Sequence, residues 1–173
     1  MTFEVDAKRG VFNSYGPRVT DGKWGAEIGD NVVKHIVYEV DYSDLSSTTI
    51  TTALHGIQGF DYIIPSGSSL LSARIVVEQA VVGPTAITVG TYAASDGTTV
   101  INTEGLFTAA ANVVTALDAI GDVVVGTGAQ LTTGTTAANG ALQVPAVIRV
   151  LPTVAVATAG KFKLYVSYLA PTA

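Results

Sequence analysis

The stretch Lys161-Phe162-Lys163-Leu164-Tyr165-Val166-Ser167-Tyr168 decides the fold class. Phe162, Leu164, Val166 and Tyr168 fall on one side of an extended chain, and Lys161, Lys163, Tyr165 and Ser167 on the other, because successive side chains of a strand point to opposite faces. A strand with one face apolar and the other polar belongs to an antiparallel sheet that is covered on one side only. The inward face here is unambiguous.

The same pattern recurs near the other end. Lys34, Ile36, Tyr38, Val40 and Tyr42 share one face, while Val33, His35, Val37, Glu39 and Asp41 share the other. Between these two strands lie β-branched runs at Thr48 to Ala53, Asp61 to Ile64, Leu70 to Val82, Thr85 to Ala93, Asp122 to Val125 and Ala146 to Val150. They are bounded by turn-forming stretches such as Pro65-Ser66-Gly67, Gly83-Pro84, Asp96-Gly97 and Gly126-Thr127-Gly128. Short strands so spaced imply an all-β fold, a single β-sandwich of jelly-roll or other Greek-key type. In the Leu70 to Val82 run, Arg74 and Glu78 lie on one face, where an exposed cross-strand ion pair is worth little. One segment departs from the pattern. Leu106, Ala109, Ala110, Val113, Val114 and Leu117 recur at helical spacing, which predicts one short helix over about residues 105–119. Thr127 to Asn139, rich in Gly, Thr and Ala, reads as a loop.

Charge divides the chain unequally. Thirteen of its twenty-three charged residues lie in residues 1–44. The segment from Arg9 to Asp30 lacks helical or strand periodicity and is broken by Gly10, Gly16-Pro17, Asp21-Gly22 and Gly25. It carries Phe12, Tyr15 and Trp24, which a solvated linker does not need. The expected organisation is therefore an extended N-terminal arm over residues 1–31 and a β-sandwich over residues 32–173. The arm docks either on its own domain or on a neighbouring subunit, and Phe12, Tyr15, Arg18 and Trp24 are its candidate partner-binding residues.

Of the 173 residues, 48% are apolar and only 13% charged, against about 25% charged in an average soluble domain. Neutral Thr, Ser, Ala and Gly must cover the surface. A net charge of -5 argues against nucleic-acid binding, which needs clustered cations. No apolar run is long enough to span a membrane, and the acidic start Met1-Thr2-Phe3-Glu4-Val5-Asp6 lacks the order of a signal peptide, so synthesis and folding in a cytoplasm are expected. Without cysteine, neither disulfides nor thiolate chemistry is available.

Catalytic chemistry finds no foothold in these residues. His35 and His55 are too far apart in sequence for a paired metal site, and no serine sits in a Gly-x-Ser-x-Gly elbow. Gly126-Thr127-Gly128 after Val123-Val124-Val125 looks like the opening of a dinucleotide loop, but Leu131 stands where a third glycine is required. Asp118 and Asp122 read as turn chemistry rather than paired catalytic carboxylates, and Asp96-Gly97 as a tight turn rather than a calcium loop. No cofactor, metal or catalytic residue is expected, and the protein is read as a non-enzyme.

Several segments together resemble small virion structural proteins of tailed bacteriophages: Asn13-Ser14-Tyr15-Gly16-Pro17-Arg18-Val19-Thr20-Asp21-Gly22-Lys23-Trp24-Gly25, the strand Val32 to Leu45, Ile64 to Ala73, Asp122 to Gly128, and Thr158 to Tyr168. The resemblance covers nearly the whole chain and is one of segment order. It implies a capsid decoration, or cement, protein that binds the outside of an assembled capsid, with the major capsid protein and further copies of itself (a trimer or dimer) as partners. Its implied location is the exterior of the virion, after assembly in the host cytoplasm. A tail-fibre or adhesin-like glycan-binding β module is the alternative.

Overall fold

The computed structural model describes residues 33–49, 62–108, 115–131 and 141–171 in full, and the backbone of residue 114 and of three further strands nearer the N-terminus. In chain order the strands are β1 (Glu4–Ala7), β2 (Gly10–Asn13), β3 (Glu27–Gly29), β4 (Val33–Asp41), β5 (Ser69–Val82), β6 (Ala86–Ala93), β7 (Val100–Phe107), β8 (Val123–Val125), β9 (Ala146–Thr153) and β10 (Ala159–Leu169). They form an antiparallel five-stranded sheet ordered β3-β4-β10-β5-β8, a three-stranded sheet ordered β7-β6-β9, and a separate β1-β2 pair. Three of these strands, β1, β2 and β3, lie within the segment read as an arm.

β10 is the spine of the larger sheet. It is inserted between β4 and β5, with Leu164 opposite Tyr38 on one side and Ile75 on the other. Phe162, Leu164, Val166 and Tyr168 are all buried, as the alternation requires, and each such burial contributes about 1.5–3 kcal/mol. Ile36, Tyr38 and Val40 of β4 and Ala73, Ile75 and Val77 of β5 complete the inner face. Opposite them, Ile87 and Val89 of β6, Phe107 of β7, and Ile148 and Val150 of β9 join the same core. Two sheets that share one apolar interior make a β-sandwich. Tyr38 meets Tyr62 edge to face, ring centroids 5.7 Å apart.

The long β5 keeps its apolar residues inward because its register on β10 shifts at three places, one of them between Ala159 and Lys161. Tyr168 pairs with Leu70 and Ser167 with Ser72, so Leu71 is skipped; Phe162 pairs with Val77 and Lys161 with Gln79, so Glu78 is skipped. An extra residue of this kind is a β-bulge, which shifts the inside-outside alternation by one and lets both Leu70 and Ala73 be buried.

After β8 the chain crosses from one sheet to the other. Gly126 N–H donates to Ala73 of β5 at 2.8 Å, Gly128 N–H to Leu106 of β7 at 2.9 Å, and Gln130 N–H to Gly105 at 2.9 Å. A Cβ on Gly126 would lie 2.8 Å from the Leu106 carbonyl oxygen, and one on Gly128 would land on the backbone of Gly105. This close approach of two backbones is what the glycines permit.

The helix expected over residues 105–119 is corrected. Gly105, Leu106 and Phe107 end strand β7, and the only helical turn found in the described part of this span is a 3-10 turn at Val114–Ala116. Leu106 and Leu117 are both fully buried, but from separate elements, so their helical spacing is a coincidence of two segments entering one core. No strand forms at Thr48 and Thr49, and the rest of the run expected there lies outside the described residues. The described part of the run ending at Ile64 contributes a single bridge, to Ala146.

Candidate binding face

Because β4, β10, β5 and β8 are paired side by side, their outward residues form rows across the larger sheet. One row reads His35, Ser167, Ser72; the next Val37, Tyr165, Arg74, Val125; the third Glu39, Lys163, Val76, Val123. The third row and its neighbours carry a closed set of charges. Lys163 Nζ lies 2.7 Å from Glu78 and 3.7 Å from Glu39, and Lys161 Nζ lies 3.6 Å from Glu78. Glu78 is held below its ordinary pKa mainly by the hydrogen bond from Lys163, and the Lys163 ammonium is raised by the same bond.

The first two rows are different in kind. They line a groove of about 460 Å³ formed by His35, Ser72, Arg74, Val125, Tyr165 and Ser167 with the backbone beneath. Arg74 is exposed, and its guanidinium carbon stands 4.7 Å from the centre of the Tyr165 ring. His35 Nδ1 and Ser167 Oγ are 2.8 Å apart across the β4-β10 pair. The groove thus offers guanidinium and hydroxyl donors beside an imidazole, with an apolar wall at Val125.

That wall belongs to an open sheet edge. Among the described residues β8 pairs only with β5, and Asp122 and Gly126 direct their main-chain bonds toward β5 at Val77 and Ala73. The alternation leaves the N–H and C=O groups of Val123 and Val125 on the unpaired side. The Val123 and Val125 side chains are 56% and 64% exposed, and Ile120 just before them 77%. The strand itself has no lysine, proline or bulge, the devices that ordinarily blunt such an edge.

Of the residues expected to bind a partner, Phe12 lies in β2, opposite Val5 of β1. Tyr15, Arg18 and Trp24 lie outside the described residues, as does His55. His35 is an exposed polar-face residue, as its strand position predicts. Asp122 Oδ2 accepts from Ala119 N–H at 3.0 Å, which is turn chemistry, and Asp96 accepts from the Thr98 and Thr99 N–H groups at 2.9 and 2.8 Å in the tight turn expected there. Among the described residues, no three His, Asp or Glu side chains gather as metal ligands, and no helix is long and apolar enough to cross a membrane. The groove escaped sequence reading because Arg74 and Tyr165 are ninety-one positions apart, and only the register of β5 on β10 brings them together.

No family model matches the chain, and neither does any curated protein. Among solved structures, it is similar to a chain of the capsid asymmetric unit of cyanophage Pam1, with 16% identity over 83% of this chain and 89% of that one, at a TM-score of 0.43. What the protein does must be argued from its own residues.

Proposed function

We propose that the chain is a non-catalytic structural protein of a tailed-phage virion, of the capsid decoration type. In this reading it binds the outside of the head through the major capsid protein, associates with further copies of itself, and stabilises the lattice. The observation that carries the proposal is the open β8 edge, whose three consecutive valines bear no charge and whose main chain is ready to pair with a neighbouring strand. A surface poor in charge suits many modest contacts, each weak alone and strong together through multivalency. The arm residues Phe12, Tyr15, Arg18 and Trp24 are assigned to contacts with the capsid or a neighbouring subunit.

The test is co-sedimentation of the purified chain with assembled phage heads, alongside light scattering of the free protein. Attachment to heads that is lost in Val123→Lys/Val125→Lys or in Tyr15→Ala/Trp24→Ala, with the sandwich still folded, supports the proposal. Absence of attachment by the parent chain, together with saturable binding on a glycan array, would replace it with the glycan-binding reading.

A further inference from the structure

The two ends of the outer sheet face differ in their charge balance. At one end, Lys161 and Lys163 are both answered by Glu78, with Glu39 closing the set. At the other, Arg74 makes no ion pair among the described residues; its one partner is the Tyr165 ring. That contact engages the ring and no oxygen acceptor, so the guanidinium N–H donors are available to an acceptor from outside. Ser72 and Ser167, in register on adjacent strands, place hydroxyls beside it, and His35 adds a second nitrogen base. The nearby carboxylates on this face, Glu39 and Glu78, are already engaged.

We infer that this groove binds a carboxylate carried by an extended segment of a partner protein, with Arg74 as the principal recognition residue and Ser72, Ser167 and His35 as flanking polar contacts. An acidic peptide is the occupant that the unanswered cation selects, since a guanidinium pairs with a planar carboxylate through two parallel bonds. The volume of about 460 Å³ accepts a few side chains, and Val125 supplies an apolar contact for the residue next to the acid. Because Val125 also belongs to the open edge, a segment lying along β8 passes the mouth of the groove. The inference deepens the proposed function by naming the chemistry of the partner surface, and rests on that reading only for the identity of the partner.

The experiment is a heteronuclear NMR titration of the full chain with two peptides, acetyl-Gly-Glu-Gly-amide and its Gln counterpart, and with inorganic phosphate, following the Arg74 Nε–H and the Ser72, Tyr165 and Ser167 amides. Saturable shifts with the Glu peptide are expected, with binding weaker by about tenfold or more for the Gln peptide and for the Arg74→Gln variant, the size of one lost charge-assisted hydrogen bond. Lys161→Gln, on the same face but outside the groove, should bind as the parent does. Equal response to both peptides, no response, survival of binding in Arg74→Gln, or tighter binding of phosphate than of the Glu peptide would overturn the assignment. Head co-sedimentation of the parent chain separates the two claims: attachment without peptide binding removes this inference alone, and peptide binding without attachment removes only the decoration reading.

Discussion

The Lys163 ammonium and the Glu78 carboxylate meet at 2.7 Å across β10 and β5, at the point where β5 skips a residue. Glu78 lies on the outward face beside two lysines, and it is held below its ordinary value first by the hydrogen bond from Lys163. A carboxyl whose folded pKa is depressed stabilises the fold fully above its unfolded pKa, and that stabilisation fades as pH falls through the folded value. Following the Glu78 side-chain carbonyl by NMR should therefore show a midpoint below 4.5, and Lys163→Gln should move it upward. Thermal stability near neutral pH should change little, since the pair is partly exposed and screened.

Asp96 makes a sharper acid-side prediction. Its two oxygens accept from the Thr98 and Thr99 N–H groups and the Thr99 hydroxyl, and the last of these bonds contributes most to lowering its pKa to about 2. The stabilisation is present above the unfolded value of about 3.9 and is lost between there and about pH 2. Thr99→Val should raise the Asp96 midpoint in a carboxyl titration; an unchanged midpoint would remove the hydroxyl as the cause.

Two glycines separate close approach from backbone strain. Gly128→Ala places a Cβ on the Gly105 backbone, which cannot move without opening the crossing segment, and should cost about 1–3 kcal/mol or more in chemical denaturation. At Gly121 a Cβ would meet nothing within 4 Å, but the φ of +89° belongs to the left-handed region. Gly121→Ala should cost about 1–2 kcal/mol, all of it conformational.

Val154 sits at the tip of a three-residue turn closed by Ala155 N–H donating to the Thr153 carbonyl at 2.8 Å, with a φ of 68° and 85% of its surface exposed. A β-branched residue is strained there, and the strain is worth about 1–3 kcal/mol. Val154→Gly, normally a destabilising change, should leave stability unchanged or raise it by about 1 kcal/mol, because relief of strain outweighs the added freedom of the unfolded chain. A clear loss of stability on denaturation would show that Val154 is held by contacts its exposure does not reveal.

How far the sequence spoke for the structure depended on whether the information was local. β10 and β4 were legible residue by residue, because one covered face imposes period two on each strand independently of its neighbours. β7 was not: its last residues Leu106 and Phe107 are both buried, so the alternation breaks where the crossing chain packs over it. The bulges of β5 were equally hidden, since a skipped residue is defined by the partner strand. The groove at Arg74 and Tyr165 exists only through that same register. The open edge was written in Val123-Val124-Val125 as a strand, but its being an edge is a property of sheet order alone.

The crossing after β8 has a mechanical consequence. Within six residues, one backbone bonds to β5 in the larger sheet and to β7 in the smaller. The two layers are therefore tied by main-chain bonds as well as by the contact of their apolar faces, and a tug on one is passed to the other through peptide groups. Sliding the layers apart would have to break this lace before the oily interface could shear, so the sandwich should yield as a unit instead of delaminating.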